Sequence, residues 1–221
     1  MRFSILPLVV LTLVLSSAPL WGGSVLFSDL GPSFTYGSGV ALSIEGSGAG
    51  SLPTPVGLAM PFTVAGTGNE AVTQVDLAIT YVLTPPTFTA SIWTDLSGKP
   101  GTQVAGAFWS LSASAPFETC CSLVAVPVSG VTLVGGAQYL MVVQPVSYSD
   151  SSFTAWALND QGVDGDVEQT ADGITWGYLG TFSIGVFDVL GVSDVPEPAS
   201  LFLSATGLAA LLALRRRSAG R

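Results

Sequence analysis

The chain has 221 residues, of which 48% are hydrophobic and 10% are charged, and it contains no histidine. Between Gly22 and Val195, fourteen acidic residues stand against one basic residue, Lys99, which gives this region a formal charge of −13. Such a surface excludes binding to nucleic acid, which requires basic side chains, and it is repelled by anionic lipid headgroups. The absence of histidine removes the commonest general base and transition-metal ligand, so we expect no enzyme and no cofactor, apart from the calcium ion considered below.

The N-terminus has the pattern of a secretory signal. Arg2 precedes an apolar run from Phe3 to Leu15, which matches the charged and hydrophobic regions of a signal peptide. We assign residues 1–24 to this signal. The cleavage point stays open, because Ala18 is followed by a proline whereas Gly22 and Ser24 offer a second pair of small residues.

The middle of the chain, residues 25–191, reads as short strands joined by turns. Apolar and polar residues alternate with the period of two that is typical of half-buried strands, and no amphipathic helix is evident. This alternation predicts strands at Val72–Tyr81, Phe88–Ile92 and Phe182–Val186, whereas Tyr139–Val143 is a nearly continuous apolar run that suits a strand covered on both faces. The Gly- and Ser-rich stretch 37–51 is predicted to be a loop or flexible leader.

Turn signals separate these strands, among them Ser97–Gly101, Gly135–Gly136 and Asp172–Gly173. Many short strands without intervening helices favour an all-β antiparallel β-sandwich, and we expect a jelly-roll-like form because two sheets packed face to face hide the apolar side of each. The sequence shows no second domain.

Part of this region resembles a known domain. The segments Pro61–Val64, Val72–Tyr81, Ser91–Asp95 and Ser97–Gly101 are similar to the domain called choice-of-anchor R. That resemblance implies an exported β-rich domain followed by an anchoring tail, and it implies no particular chemistry.

Cys120 and Cys121 are the only cysteines. Adjacent cysteines cannot cross-link distant strands, so in an oxidising compartment they form either a vicinal disulfide or a bond between chains. A vicinal disulfide would act as a redox switch or as a local staple in a loop.

The densest acidic patch is a candidate calcium site. Asp164, Asp166 and Glu168 occupy alternate positions, so in an extended strand their side chains project to one side. Oxygen ligands are those that calcium prefers, although the spacing does not match an EF-hand loop. The alternative is a solvated acidic hairpin that protects a sheet edge from aggregation.

Aromatic residues offer a second candidate site. Trp176 and Tyr178 lie close to the acidic patch and are predicted to bind glycans by stacking, whereas Trp156 lies in an apolar run and is predicted to be core. The alternative for all of these rings is packing in the core or in cross-strand pairs.

The C-terminal segment, residues 192–221, has three parts in a fixed order. Val195-Pro196-Glu197-Pro198 is followed by an apolar stretch over 199–214 and then by Arg215, Arg216 and Arg217. The sixteen residues of this stretch would form a helix of about 24 Å at ~1.5 Å per residue, which the arginine stems extend to span a bilayer. The arginines would remain cytoplasmic, which leaves the rest of the chain outside.

This arrangement resembles the PEP-CTERM sorting signal of Gram-negative bacteria. The resemblance implies that Pro196, Glu197 and Pro198 are the motif recognised by an exosortase, a membrane-embedded cysteine transpeptidase. It also implies a host that produces exopolysaccharide and forms biofilms.

We therefore expect an exported protein that is first anchored in the inner membrane and then reaches the cell surface or the extracellular matrix. Its partners would be the exosortase, the membrane and an exopolysaccharide. The alternatives are a carbohydrate- or calcium-binding surface module and, third, an extracellular hydrolase, which would need two carboxylates facing each other across a cleft.

Overall fold

The computed structural model describes residues 24–37, 39–84 and 86–193. The predicted transmembrane helix and all of the predicted signal peptide except Ser24 lie outside these residues. Within the described ranges, no helix has both the length and the apolar character needed to cross a membrane.

The described residues form β-strands connected by turns, with one 3₁₀ turn at Pro32–Phe34. Every pair of neighbouring strands is antiparallel, which confirms the all-β antiparallel prediction. The strands are β1 (Ser24–Ser28), β2 (Ala41–Glu45), β3 (Gly57–Thr63), β4 (Asn69–Leu77), β5 (Ile79–Leu83), β6 (Thr87–Leu96), β7 (Lys99–Ser112), β8 (Val124–Pro127), β9 (Thr132–Val134), β10 (Gln138–Pro145), β11 (Phe153–Ala157), β12 (Asp164–Thr170), β13 (Gly177–Ser183) and β14 (Phe187–Ser193).

Three sheets share these strands. A six-stranded sheet has the order β13-β12-β3-β10-β6-β7, and a five-stranded sheet has the order β1-β14-β4-β8 with β9 also paired to β4. A small third sheet has the order β2-β11-β5. Strands that are distant in sequence are therefore neighbours in each sheet.

One hydrophobic core joins the three sheets. Phe62 of the six-stranded sheet meets Phe187 of the five-stranded sheet edge to face, with ring centroids 5.4 Å apart. Trp156 of the small sheet is fully buried, as predicted, and its ring lies 5.9 Å from that of Phe187. Side chains from all three sheets thus bury their apolar surface against one another, which is the arrangement of a sandwich.

The predicted strand Val72–Tyr81 is two strands, β4 and β5, which separate at Ala78. The Ala78 N–H donates to the Val186 carbonyl at 3.0 Å, and the Ala157 N–H donates to the Ala78 carbonyl at 3.0 Å. These bonds connect the small sheet to the end of the five-stranded sheet, so the chain changes sheets without losing its backbone hydrogen bonds.

The predicted strand Phe182–Val186 is wrong at its C-terminal half. β13 ends at Ser183 and β14 begins at Phe187, so Ile184, Gly185 and Val186 cross from one sheet to the other. Both apolar residues of this crossing are buried, which explains why their sequence alternates like a strand. A side chain at Gly185 would lie 2.6 Å from the ring of Trp156, so only glycine fits there.

The stretch 37–51, predicted to be a loop or leader, contains β2. This strand pairs with β11 along its whole length, from Glu45 opposite Phe153 to Ala41 opposite Ala157. Glycine and serine on both sides conceal its short alternating pattern, in which Ile44 is buried.

The two ends of the described chain are close together. β1 and β14 are neighbouring strands, and Ser24 lies opposite Gly191. β14 continues to Ser193, so the predicted sorting segment follows the last strand with almost no linker.

Candidate functional site

The outer side of the six-stranded sheet, which faces away from the core, carries a row of mixed side chains. Across the sheet, Glu168 lies opposite Ala59, Ala59 opposite Val142, Val142 opposite Ser91, and Ser91 opposite Phe108. Directly opposed residues of an antiparallel pair point to the same face. Glu168 and Phe108 therefore lie at the two ends of one row.

Two tryptophans cover the middle of this outer side. Trp93 and Trp176 pack against Ala59, Leu140 and Val142, which are fully buried. The Trp93 Nε1–H donates to Ser91 Oγ at 2.9 Å, which fixes the indole on the sheet. Trp176, which is predicted from the sequence to bind glycans, is partly buried.

The loop between β12 and β13 holds Trp176 in position. The Asp172 carboxylate accepts the Ile174 N–H at 2.8 Å and the Thr175 N–H at 2.7 Å, together with the hydroxyl groups of Thr170 and Thr175. These hydrogen bonds stabilise the charged form, so the pKa of Asp172 is lowered from its usual value.

Lys99, the single basic residue of the described chain, reaches across the same side. Its Nζ donates to the Trp176 carbonyl at 3.2 Å. Glu168 is 4% exposed, and burial raises its pKa; the charge of Lys99 lowers the pKa and that of Asp166 raises it. A buried carboxyl thus lies close to the single lysine.

A cleft of about 480 Å³ opens where β3, β10 and β12 meet the β6–β7 hairpin. Acidic, hydroxyl, amide and apolar groups line it, and they include Asp164, Asp166, Thr181, Gln138, Pro61 and Gly98. Ser183 Oγ donates to Asp164 Oδ1 at 3.0 Å, and the Thr181 hydroxyl donates to Asp166 Oδ1. Tyr178 extends this chain, since its hydroxyl group and that of Thr181 share a hydrogen bond.

The structure places Asp164, Asp166 and Glu168 along one side of β12 but does not gather them around a common point. Within the described ranges, no group of three or more carboxyl or thiol side chains is arranged to hold a metal ion. The reason is geometric: positions two apart on a strand are about 7 Å apart, and the two aspartates bond to β13 instead. Calcium binding stays a prediction, which the melting temperature with and without millimolar calcium would test.

The sequence does not indicate that several buried polar groups lie in this region. Gln144 Nε2, Tyr148 Oη and Glu168 Oε2 are buried without a hydrogen-bond partner in the described structure. A side chain at Gly57 would lie 2.5 Å from the Tyr148 hydroxyl, so these groups lie close to the sheet. Phe108 was also missed; its 52% exposure follows from the alternation within β7.

A second group of buried carboxyls lies on the five-stranded sheet. Asp188 is opposite Asp76 on β4 and opposite Ser28 on β1. Asp29, next to Ser28, accepts the Phe187 N–H at 2.8 Å. Burial, together with the neighbouring charge of Asp188, raises the pKa of Asp29 to about 8.

The two cysteines lie in the loop between β7 and β8, where the sulfurs of Cys120 and Cys121 are bonded to each other. Their redox state in the cell stays a prediction. Mass spectrometry after alkylation without reductant would test it, because a disulfide takes up no label.

From residue 194 onward the C-terminal segment lies beyond the described residues, and it is identified by comparison. Residues 194–217 match the family model of the PEP-CTERM protein-sorting motif. No curated protein matches the chain, and the similarity to choice-of-anchor R stays a prediction. The matched residues contain Pro196, Glu197, Pro198 and the three arginines, so the chain carries a PEP-CTERM protein-sorting motif, which is consistent with an exosortase substrate.

Proposed function

We propose that the protein is a non-catalytic component of the bacterial cell surface or extracellular matrix. The observation that carries this proposal is the sorting motif, which follows the last strand of an acidic sandwich with almost no linker. A membrane-anchored precursor would be cut near Glu197, and the sandwich would then be released or attached outside. No catalytic role is assigned, because a chain without histidine lacks the commonest general base.

Processing tests this proposal. Wild-type chain, a Glu197→Ala variant and a variant without Arg215–Arg217 would be expressed in a host with the exosortase and in one without it. We expect a loss of mass and release from the membrane only in the host with the exosortase, and there for the wild type but not for the two motif variants. Glu118→Gln, an exposed change outside the motif, serves as the control, and an equal mass in both hosts would contradict the proposal.

A second candidate function is glycan binding by the outer side of the six-stranded sheet. It is favoured by the aromatic side chains there: Tyr178 is 58% exposed, Phe108 is half exposed, and Trp93 and Trp176 are partly exposed. Aromatic rings combine a large apolar face with low conformational entropy, and sugar rings offer apolar faces that stack on them.

Tryptophan fluorescence tests this second function. We expect glycan binding to quench the emission of Trp93 and Trp176, and a Trp176→Phe variant to lose part of that response. Trp156 is fully buried and contributes a constant background. A flat response across neutral and charged polysaccharides would count against glycan binding.

A further inference from the structure

We propose that the C-terminal half of β7 pairs with the same strand of a second copy of this chain, so that two six-stranded sheets become one continuous sheet. The pairing is antiparallel and two-fold symmetric. It adds a self-association surface to the functions proposed above and depends on neither of them. Three observations carry it: the position of β7 in the sheet, the lack of protection along its open edge, and the distribution of charge around it.

The edge of β7 that faces away from β6 has no partner strand in the described structure. β7 is the last strand of the six-stranded sheet, and its residues 108–112 pair one for one with residues 87–91 of β6. Within the described ranges, no backbone hydrogen bond joins residues 108–112 to any strand or loop other than β6. The outward N–H and C=O groups of such a strand are a template for another strand. We call residues 108–112 the free edge.

The N-terminal half of β7 is unsuited to such pairing. Pro100 has no N–H to donate, and residues 104–107 form a large bulge in which four residues of β7 stand against Ile92 alone. Gly106, within the bulge, has a φ of 79°, so the backbone there leaves the strand conformation. Prolines and bulges keep an edge from pairing, which limits the pairing segment to the free edge.

Other edges of the described sheets are protected, whereas the free edge is not. Asp164 and Asp166 are exposed on β12 and bring negative charge to the neighbouring edge strand β13. β8 has four residues and ends in Pro127. β5 is covered, since the Tyr81 N–H donates to the Ala115 carbonyl at 3.0 Å. The free edge contains no charged residue, no proline and no glycine, which is a composition that favours the addition of a strand.

The distribution of charge suits a second copy as the partner. The described residues contain thirteen acidic residues and one lysine, so two copies repel each other over most of their surface. Residues 100–117 carry no charge and lie between Lys99 and Glu118, both of which are exposed. Antiparallel pairing brings the Lys99 end of one copy toward the Glu118 end of the other, so opposite charges approach, whereas parallel pairing would bring like charges together.

The free edge is complementary to itself in a register centred on Ser110. Ser110 then opposes Ser110 of the second copy, Trp109 opposes Leu111, and Phe108 opposes Ser112. Opposed residues share a face of the sheet, so Trp109 and Leu111, which both pack against the core, meet their counterparts on the core side. Aromatic and aliphatic side chains that oppose each other across two strands stabilise the pair, and no like charges are opposed.

Cysteine cross-linking tests this register on the full chain, purified in detergent. In Ser110→Cys the two introduced residues have Cα atoms about 5 Å apart, which is within the range that a disulfide spans. In Ser112→Cys they are about 14 Å apart, because the two positions are offset by four residues along the strands. Both serines are exposed on β7.

We expect mild oxidation to yield several-fold more covalent dimer from Ser110→Cys than from Ser112→Cys. The wild type, whose own cysteines are bonded to each other, gives the background. Because serine and cysteine are similar in size and both positions are exposed, the two variants keep the fold and differ only in register.

Sedimentation velocity over a dilution series measures the association itself. We expect a monomer–dimer equilibrium for the wild type and a several-fold larger dissociation constant for Ser110→Glu, because two carboxylates then lie opposite each other. Thr67→Glu adds the same charge to the loop between β3 and β4, where Thr67 is exposed, and is expected to associate like the wild type.

Four results would overturn the proposal. Equal cross-linking at both positions means random collision, and a wild type that stays monomeric means that no association occurs. A Ser110→Glu variant that dimerises like the wild type places the contact outside the free edge. A ladder of larger species in place of a dimer means head-to-tail pairing of β7 with β13. Sorting is decided separately, by the processing experiment.

Discussion

At the scale of single residues, the least usual groups are the buried carboxyls Asp29 and Asp188. Both are almost fully buried, and each has one oxygen without a partner in the described structure. Burial raises the pKa of both, that of Asp29 to about 8. The folded chain therefore holds protons in a pH range where the unfolded chain has released them.

This difference predicts that stability falls as the pH rises. Asp29 has a usual pKa of 3.8 and a folded pKa of about 8, so the folded state binds more protons between these values and the free energy of unfolding decreases across them. Asp29→Asn should flatten the decrease and raise stability at pH 9, because the amide cannot ionise and can still accept the Phe187 N–H. Urea denaturation at pH 5 and pH 9 measures both effects.

The matched control for this prediction is Asp160→Asn, an exposed change in the loop after β11, which should leave the pH dependence as it is. Asp172, whose pKa is lowered, stabilises the fold until the pH falls below the usual pKa of an aspartate. Its contribution to the free energy of unfolding is therefore constant between pH 5 and pH 9. A slope that Asp29→Asn does not change would contradict the assignment.

Gly185 predicts a second effect of a single residue. In Gly185→Ala the new methyl group would lie 2.6 Å from the Trp156 ring, so the ring or the crossing must move. Overpacking of this kind costs about 1–3 kcal/mol, measured as a lower midpoint of urea unfolding. Gly39→Ala, which meets nothing within 4 Å, should be close to neutral, and equal midpoints for the two variants would contradict the close packing.

At the scale of the elements, the β12–β13 loop shows how one side chain organises a site. Asp172 accepts four hydrogen bonds within six residues, from Thr170 to Thr175. The loop in turn holds Trp176 on the sheet and presents its carbonyl to Lys99. In this loop, hydrogen bonds to one side chain therefore replace the backbone pairing that holds the strands elsewhere.

Removal of that side chain predicts local loosening without loss of the fold. Asp172→Ala should increase amide hydrogen exchange at Ile174 and Thr175, whose N–H groups lose their acceptor, and should shift the emission of Trp176 to longer wavelength. The amides of β10 in the sheet centre should exchange as slowly as before. Unchanged protection of Ile174 and Thr175 would show that the loop is held by other contacts.

The strands also show what sequence patterns can and cannot reveal. Alternation predicts the β6 segment and a continuous apolar run predicts the β10 segment, because both patterns depend on residues within one strand. It could not predict that Glu168 lies opposite Ala59, because strand order is set by packing between segments a hundred residues apart. The acidic residues are evident from the composition, whereas the position of Lys99 and Phe108 on the outer side follows only from the strand order.

At the scale of the whole molecule, charge is the dominant property. The described residues contain thirteen acidic residues and one lysine, so the folded domain repels itself at low ionic strength. Salt screens this repulsion, with a Debye length of about 30 Å at 0.01 M and about 8 Å at 0.15 M.

We therefore expect the melting temperature to rise between these two salt concentrations. Calorimetry at pH 7 in sodium chloride measures the change, which should be smaller for a variant that combines Asp160→Asn with Glu118→Gln and so carries two fewer charges. A melting temperature that falls with added salt would mean that attractive ion pairs outweigh the repulsion.

The position of β14 has a mechanical consequence. This strand is hydrogen-bonded on both sides, to β1 and to β4, and the sorting motif begins in the sequence at the residue after its last one. A force applied to Ser193 along the strand axis must shear two ladders at once instead of unzipping them bond by bond. A domain tethered in this way would resist the drag of flowing liquid better than one tethered through an edge strand.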